Sequence, residues 1–335
     1  MKHSNISIFV PHVGCPHKCA FCDQRTITGE QSLPHGEDVR AVCEKALREV
    51  PSPADTEIAF FGGSFTAIPR DYMTELLGAA GEFVGPGLFR GIRVSTRPDY
   101  IDEEVLGILK DCGTVAVELG AQSMSEKVLR ANERGHTAGD VIRAAKLIRA
   151  AGLELGLQMM IGLYESEEQD EQETFDALME LGPDTLRLYP TVVIKGTRLA
   201  ELFEKGVYRT KGLDYAVGLC AGFLRTAEER GTRVIKCGLH ASEFVERDMA
   251  GGYYHPAFRE LCEGLIYRRE IEKALDKAGI TGGRAEVLVE PGSVSKAVGQ
   301  KKANTEYFAR RGIGIKVRAS GGVRKYSCLI RTGNG

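Results

Sequence analysis

No apolar run among the 335 residues reaches the roughly 18 that a membrane-crossing helix requires, so a spanning helix is excluded. The first residues carry no signal-peptide pattern; a short strand is expected to lead straight into a cysteine-rich loop. The nine cysteines fall at irregular spacings, which argues against a secreted disulfide scaffold. A reducing compartment, the cytoplasm, is expected. Charge of one sign is also missing: the formal net charge is −2, with 27% charged and 43% hydrophobic residues, the balance of an ordinary globular chain. The length allows a barrel-sized core plus something smaller.

What is present begins at Gly14-Cys15-Pro16-His17-Lys18-Cys19-Ala20-Phe21-Cys22, a C-x3-C-x2-C spacing with no fourth cysteine close by. Three thiolates can hold three irons of a [4Fe–4S] cluster, whereas complete ligation by cysteine takes four. The fourth iron is then open to a small molecule. A zinc site on the same cysteines with His12 or His17 is the competing reading. Structural zinc usually takes two separated pairs of ligands, and nothing downstream supplies the second. The spacing resembles the signature of radical S-adenosylmethionine enzymes. That resemblance implies that the methionyl amine and carboxylate of S-adenosylmethionine chelate the open iron. An electron, from a donor such as flavodoxin or ferredoxin, then cleaves the sulfonium to a 5′-deoxyadenosyl radical.

Apolar runs alternate with amphipathic stretches. Strands are expected at Ser7–Val10, Glu57–Phe61, Ile92–Ser95, Val115–Leu119, Glu154–Met160 and Thr185–Tyr189, with helices at Glu37–Glu49, Asp71–Phe83, Glu103–Lys110, Ala138–Ala151 and Glu168–Leu181. Short, nearly all-apolar strands are those covered on both faces. Their alternation with helices implies parallel βαβ units, six of them between residues 7 and 195. Periodicity alone leaves an open doubly wound sheet in play. The cysteine motif decides for an α/β fold built on a partial (β/α)6 TIM-like barrel, as in the radical S-adenosylmethionine superfamily.

Ligands in parallel α/β folds gather at the carboxyl ends of the strands. The phrases GGSFTAIP (62–69), STRPDYI (95–101), ELGAQSMSEKVLRANERGHT (118–137) and RLYPTVVIKGT (187–197) stand there. Together they resemble the elongator catalytic subunit, a transfer RNA-modifying enzyme, and its shorter prokaryotic relatives, over roughly residues 5–265. By that resemblance Cys15, Cys19 and Cys22 ligate the cluster and Phe21 flanks the adenine. Gly62, Gly63 and Ser64 take the methionyl end, where many relatives have an acid in place of Ser64. Ser95, Arg97, Glu118, Gln122, Arg134 and Gln158 are the remaining cofactor candidates, with Arg130 as a competitor for the carboxylate, because a guanidinium pairs well with one. Tyr189, Lys195, His240 and His255 are candidates on the substrate side. No acetyltransferase domain follows within the 335 residues, so carboxymethylation through acetyl-CoA is not implied.

Three regions are expected: the barrel at 1–200, a helical extension completing the core at 201–280, and a basic module at 281–335. The last holds 11 Lys or Arg against 3 acids, while the other 280 residues hold 33 against 43. Such a split points to an anionic partner. Its order of strand, helix, Gly299-Gln300-Lys301-Lys302, helix and strand resembles a small α/β KH RNA-binding unit. That implies phosphate contacts at Gly299, Lys301 and Lys302, although Lys302 stands where the second loop glycine belongs. RNA, above all transfer RNA, is the expected substrate. Radical chemistry on a small metabolite or peptide is the alternative, as is an RNA-binding protein with a structural or redox-sensing cluster.

Overall fold

The computed structural model describes residues 4–10, 15, 19–23, 32–239 and 243–331. In chain order the strands are β1 Ser4–Val10, β2 Thr56–Gly62, β3 Gly91–Thr96, β4 Thr114–Gln122, β5 Glu154–Ile161, β6 Thr185–Pro190, β7 Val192–Ile194, β8 Arg233–Cys237, β9 Met249–Gly252, β10 Gly283–Val289, β11 Ile313–Ala319 and β12 Leu329–Arg331. The α-helices are α1 Gly36–Glu49, α2 Arg70–Gly81, α3 Glu103–Asp111, α4 Glu126–Ala131, α5 Ala138–Ala150, α6 Glu168–Glu180, α7 Arg198–Glu204, α8 Leu213–Glu229, α9 Glu243–Asp248, α10 Phe258–Lys277, α11 Val294–Val298 and α12 Ala303–Arg310. All six expected strands and all five expected helices of the barrel are present, shifted by no more than three residues at any end. Local start signals explain part of this agreement. Asp102 accepts the Val105 N–H ahead of α3, and Thr137 with Asp140 forms a capping box ahead of α5.

The described residues fall into two compact units: 4–210 with 232–236 and 243–253, and 211–231 with 237–239 and 254–331. The first is a curled seven-stranded sheet in the order β1-β2-β3-β4-β5-β6-β8, its consecutive strands parallel from β1 to β6. The seventh strand, β8, is one that periodicity does not announce: Arg233 is exposed, Ile235 and Lys236 are half-buried, and only Val234 and Cys237 are buried.

The pleat sorts the sheet's two faces. Ile58, Phe60, Ile92, Val94, Leu186 and Leu188 are fully buried on the helix-covered side. The alternate positions, which line the concave side, include apolar Ala59 and Phe61 but are otherwise rich in charge. Glu57, Arg93 and Glu118 are at most 3% exposed there, and Arg187 is nearly as enclosed. Arg93 Nε donates to Glu57 Oε2 at 2.6 Å, and its Nη1 and Nη2 reach Glu118 at 3.4 Å and Glu154 at 3.3 Å. Arg187 pairs with Glu118 at 2.8 Å and lies 4.6 Å over the Phe61 ring. Burial opposes both guanidinium charges, but Glu57 and Glu118 hold the Arg93 pKa above its ordinary value, and Glu118 does the same for Arg187.

The second unit packs α8 and α10 together and carries a three-stranded sheet in the order β11-β10-β12, with β10 parallel to β11 and antiparallel to β12. Asn304 of α12, 3% exposed, donates to the Gly264 and Ala297 carbonyls at 2.8 and 3.1 Å and so ties three helices together. Cys220, Cys237 and Cys262, which show no close spacing in the sequence, meet as neighbouring buried thiols in this core. Among the described residues no helix is long and apolar enough to cross a membrane.

Candidate active site

The cysteine segment is tied down on both sides. Ala20 N–H donates to the Asn132 carbonyl at 3.1 Å, the Ala20 carbonyl accepts from Leu199 N–H at 2.8 Å, and Cys22 N–H closes a turn on the Cys19 carbonyl at 3.1 Å. Phe21 packs against Val193, Leu199, Ala200 and Tyr208. Cys19 is 8% exposed; Cys15 and Cys22 are half-buried. Burial pushes the Cys15 and Cys22 thiols up, and the sulfurs repel one another when ionised. The Ser64 backbone N–H, Arg134 and Arg97 work the other way on Cys15, and Arg134 does so on Cys22. Burial of Cys15 and Cys22 disfavours bare thiolates there, so the loop suits a ligand that brings its own positive charge. His12 and His17 lie outside the described residues.

The end of β2 presses against β1. Gly63 N–H donates to the Val10 carbonyl at 2.9 Å, and Gly62 has φ +115°; a Cβ there would stand 2.7 Å from that carbonyl oxygen. Only glycine fits. The Ser64 hydroxyl, which the sequence offered for an amine, is buried and engaged: it lies 2.9 Å from Thr96 Oγ1 and accepts Arg97 N–H at 3.2 Å. What Ser64 presents to Cys15 is its backbone N–H.

Two arginines flank the thiols. Arg134, 6% exposed, donates to Cys19 Sγ at 3.1 Å and to the Gly120 carbonyl at 2.6 Å, and its Nε has no partner among the described residues. Arg97, 4% exposed, clasps Asp99 at 2.9 and 2.8 Å, and its Nη1 has no partner among the described residues. Buried N–H groups are seldom left unpaired. Two of them, on cations next to three sulfurs, call for an anionic group. Arg130 is exposed on α4.

Strand β4 is bulged at Ala121, so Gln122 stands at φ +66° and its Oε1 accepts from Gln158 Nε2 at 3.1 Å. The His136 ring pins this bulge through Nε2 to the Ala121 carbonyl at 3.2 Å. Burial, then Arg134 and Arg97, push its pKa down to about 4. The unfolded imidazole titrates near 6.5. Between those values the unfolded chain binds a proton that the folded one refuses, so stability is expected to fall as pH drops through that window. Urea unfolding of His136→Gln at pH 7 and pH 5 checks this: the variant should lose part of the difference, and an unchanged difference would contradict it.

The other candidates are placed elsewhere or engaged. Ser95 donates to Glu118 at 2.9 Å, within the charged network below the strand ends. Tyr189 accepts from Arg187 at 3.3 Å, and Lys195 donates to the Arg247 carbonyl at 3.2 Å. His255, in the second unit, accepts Ala257 N–H at 3.0 Å as a turn cap. His240 lies outside the described residues. Asn132, His136 and Asp99 sit inside phrases the sequence flags; Asn132 reaches Ala20 and Tyr164 and His136 reaches Ala121, contacts that form only on folding, while Asp99 holds Arg97 two positions away.

A curled parallel sheet with three thiols and two underused cations at its strand ends defines a class, the α/β enzymes that carry an iron–sulfur centre at a barrel mouth. The chain belongs to the Radical SAM superfamily, whose family model matches residues 9–178; the Radical_SAM C-terminal domain model matches 183–268. Members of this superfamily are enzymes that use a [4Fe–4S] cluster and S-adenosylmethionine. Among curated proteins, the chain is 26% identical to the tRNA uridine(34) acetyltransferase of Methanocaldococcus infernus over 66% of this chain and 50% of that one. It is 30% identical to human Elongator complex protein 3 over 62% of this chain and 41% of that one. The chain thus spans half or less of the length of these two relatives. Among solved structures, the archaeal Elp3 of M. infernus superposes with a TM-score of 0.60 at 20% identity, covering 84% of this chain and 64% of that one.

Proposed function

We propose that this enzyme modifies a nucleoside of transfer RNA by radical chemistry. Cys15, Cys19 and Cys22 would hold the cluster, Gly62 and Gly63 would let the methionyl end approach the backbone, and Arg97 or Arg134 would receive its carboxylate. When bound, the cluster and S-adenosylmethionine supply one-electron cleavage of a sulfonium to a 5′-deoxyadenosyl radical. The chain's own contribution is geometric and electrostatic. Asn132 and Leu199 fix the cysteine turn, Arg134 braces Cys19, and the bulge at Ala121 sets the Gln122–Gln158 pair.

The observation that carries the cofactor reading is the pair of buried arginine N–H groups beside the thiols that have no partner among the described residues. The substrate reading is supported by likeness to proteins named for transfer RNA uridine and elongator, and by the basic second unit. Lys301 and Lys302, exposed and at φ +51° and +63°, form the short loop between α11 and α12 that would touch RNA phosphates. Left-handed lysines are uncommon, and such backbone gathers at functional loops.

Mass spectrometry of transfer RNA nucleosides from cells with and without the gene tests this. One modified nucleoside should vanish in the deletion strain and return with the intact gene. Identical nucleoside profiles would leave the metabolite or peptide alternative standing instead. Lys301→Ala/Lys302→Ala should weaken transfer RNA binding and make it less salt-dependent.

A further inference from the structure

The sheet of the second unit has one face under its helices and one face open. Ala285, Val287, Ile313 and Ile315 turn inward and are buried. Period-two alternation then sends Arg284, Lys316, Arg318 and Arg331 outward, and all four are exposed. The register groups them: Glu286 lies opposite Lys316 on one side and Arg331 on the other. Glu286 is the one acid on this face, with Arg318 at 2.6 Å and Arg331 at 3.6 Å. A single carboxylate cannot offset four cations on three adjacent strands, and like charges this close weaken a sheet. Arg318 and Arg331 share that one carboxylate, and exposed pairs of this kind add little to stability.

We propose that this open face is a docking surface for the sugar–phosphate backbone of RNA, distinct from the Lys301–Lys302 loop. The proposal rests on the RNA reading above and extends it to a second surface. Lys316 and Arg318, two residues apart on one strand, stand about 6.7 Å from each other. Strands about 4.8 Å apart carry Arg284 and Arg331 alongside, so the cations form a grid rather than a point. That pattern matches a chain of regularly spaced anions. Among its described residues the face carries no aromatic side chain; its apolar members are Leu288, 9% exposed between Arg318 and Leu329, and Leu329, 59% exposed, so it cannot stack bases. It therefore positions RNA without reading its sequence. Exposed apolar residues that would sink into a lipid surface are also few there, which favours RNA over an anionic membrane.

The test uses the full-length, cluster-loaded protein and an unmodified transfer RNA transcript, with fluorescence anisotropy across a salt series. R284Q/K316Q/R318Q/R331Q should reduce the slope of log affinity against log salt by about 3, and lower affinity at low salt about 100-fold. A random-sequence RNA should lose binding equally. Melting temperature and iron content verify the fold; should the quadruple variant misfold, R284Q/K316Q and R318Q/R331Q are measured as pairs, each expected to remove about half the slope. Wild-type affinity and slope in these variants, while Lys301→Gln/Lys302→Gln binds weakly, would overturn the sheet face and leave the RNA reading intact. Absence of transfer RNA binding by the wild type, with binding to phosphatidylserine vesicles, would overturn both.

Discussion

Cys19→Ala protein, purified without oxygen and supplied with iron and sulfide, should bind little iron and lose reductive cleavage of S-adenosylmethionine. Cys19 is the most enclosed of the three thiols and the one that Arg134 touches at 3.1 Å. Its backbone carbonyl closes the turn with Cys22 and is unaffected by truncating the side chain. The substitution therefore removes a sulfur and leaves the loop's hydrogen bonds in place. Two thiolates cannot satisfy three irons. Cys43, also buried but on α1 and in a different place, serves as the control, because Cys43→Ala should keep iron, sulfide and cleavage. Elemental analysis with product chromatography for 5′-deoxyadenosine reads the result. Cleavage that survives Cys19→Ala would mean that the active site lies elsewhere, and zinc in place of iron would return the loop to a structural role.

Arg93→Met should destabilise the first unit by about 3–5 kcal/mol, the range for removing one partner from a buried ionic network. Arg93 is completely enclosed and is held by Glu57, Glu118 and Glu154. Without it, Glu57, itself 1% exposed, loses its enclosed partner at 2.6 Å, while the half-exposed Arg90 stays at 2.8 Å. Glu118 retains Arg187, so the penalty falls mainly on Glu57. Adding Glu57→Gln to Arg93→Met should restore part of the loss, since the undercompensated buried charge goes with it. Thermal unfolding of the wild type and the two variants reads this as a drop of roughly 10 °C for the single substitution, using the usual relation between stability and melting temperature. A drop under about 2 °C would mean that the network contributes little and that the concave face tolerates an unpaired carboxylate.

Much of the barrel was legible because its causes are local. The run Ile58–Phe61 or Leu155–Ile161 announces a strand through its own side chains, and Thr137 with Asp140 announces a helix start within four residues. The same holds for the cysteine triplet, whose spacing sets its chemistry before any folding. Arg97 and Arg134 were legible as candidates but not as a pair, since Arg130 had the same residue type and similar neighbours. What separates them is that α4 turns Arg130 to solvent while the segment after it carries Arg134 back to Cys19, 115 positions away. Ser64 shows the converse: its hydroxyl reads as free until Thr96 and Arg97 arrive from the next strand.

The amino-acid order by itself determined the alternation of strands and helices, the three-thiol loop and the unequal division of charge, because each depends on residues within a few positions of one another. Folding alone decided which charges line the concave face, that β8 joins the sheet, that three scattered cysteines share one core, and that the tail's cations gather on an open sheet face. Each of these depends on pairings between distant strands, where a shift of one residue turns a side chain to the opposite face.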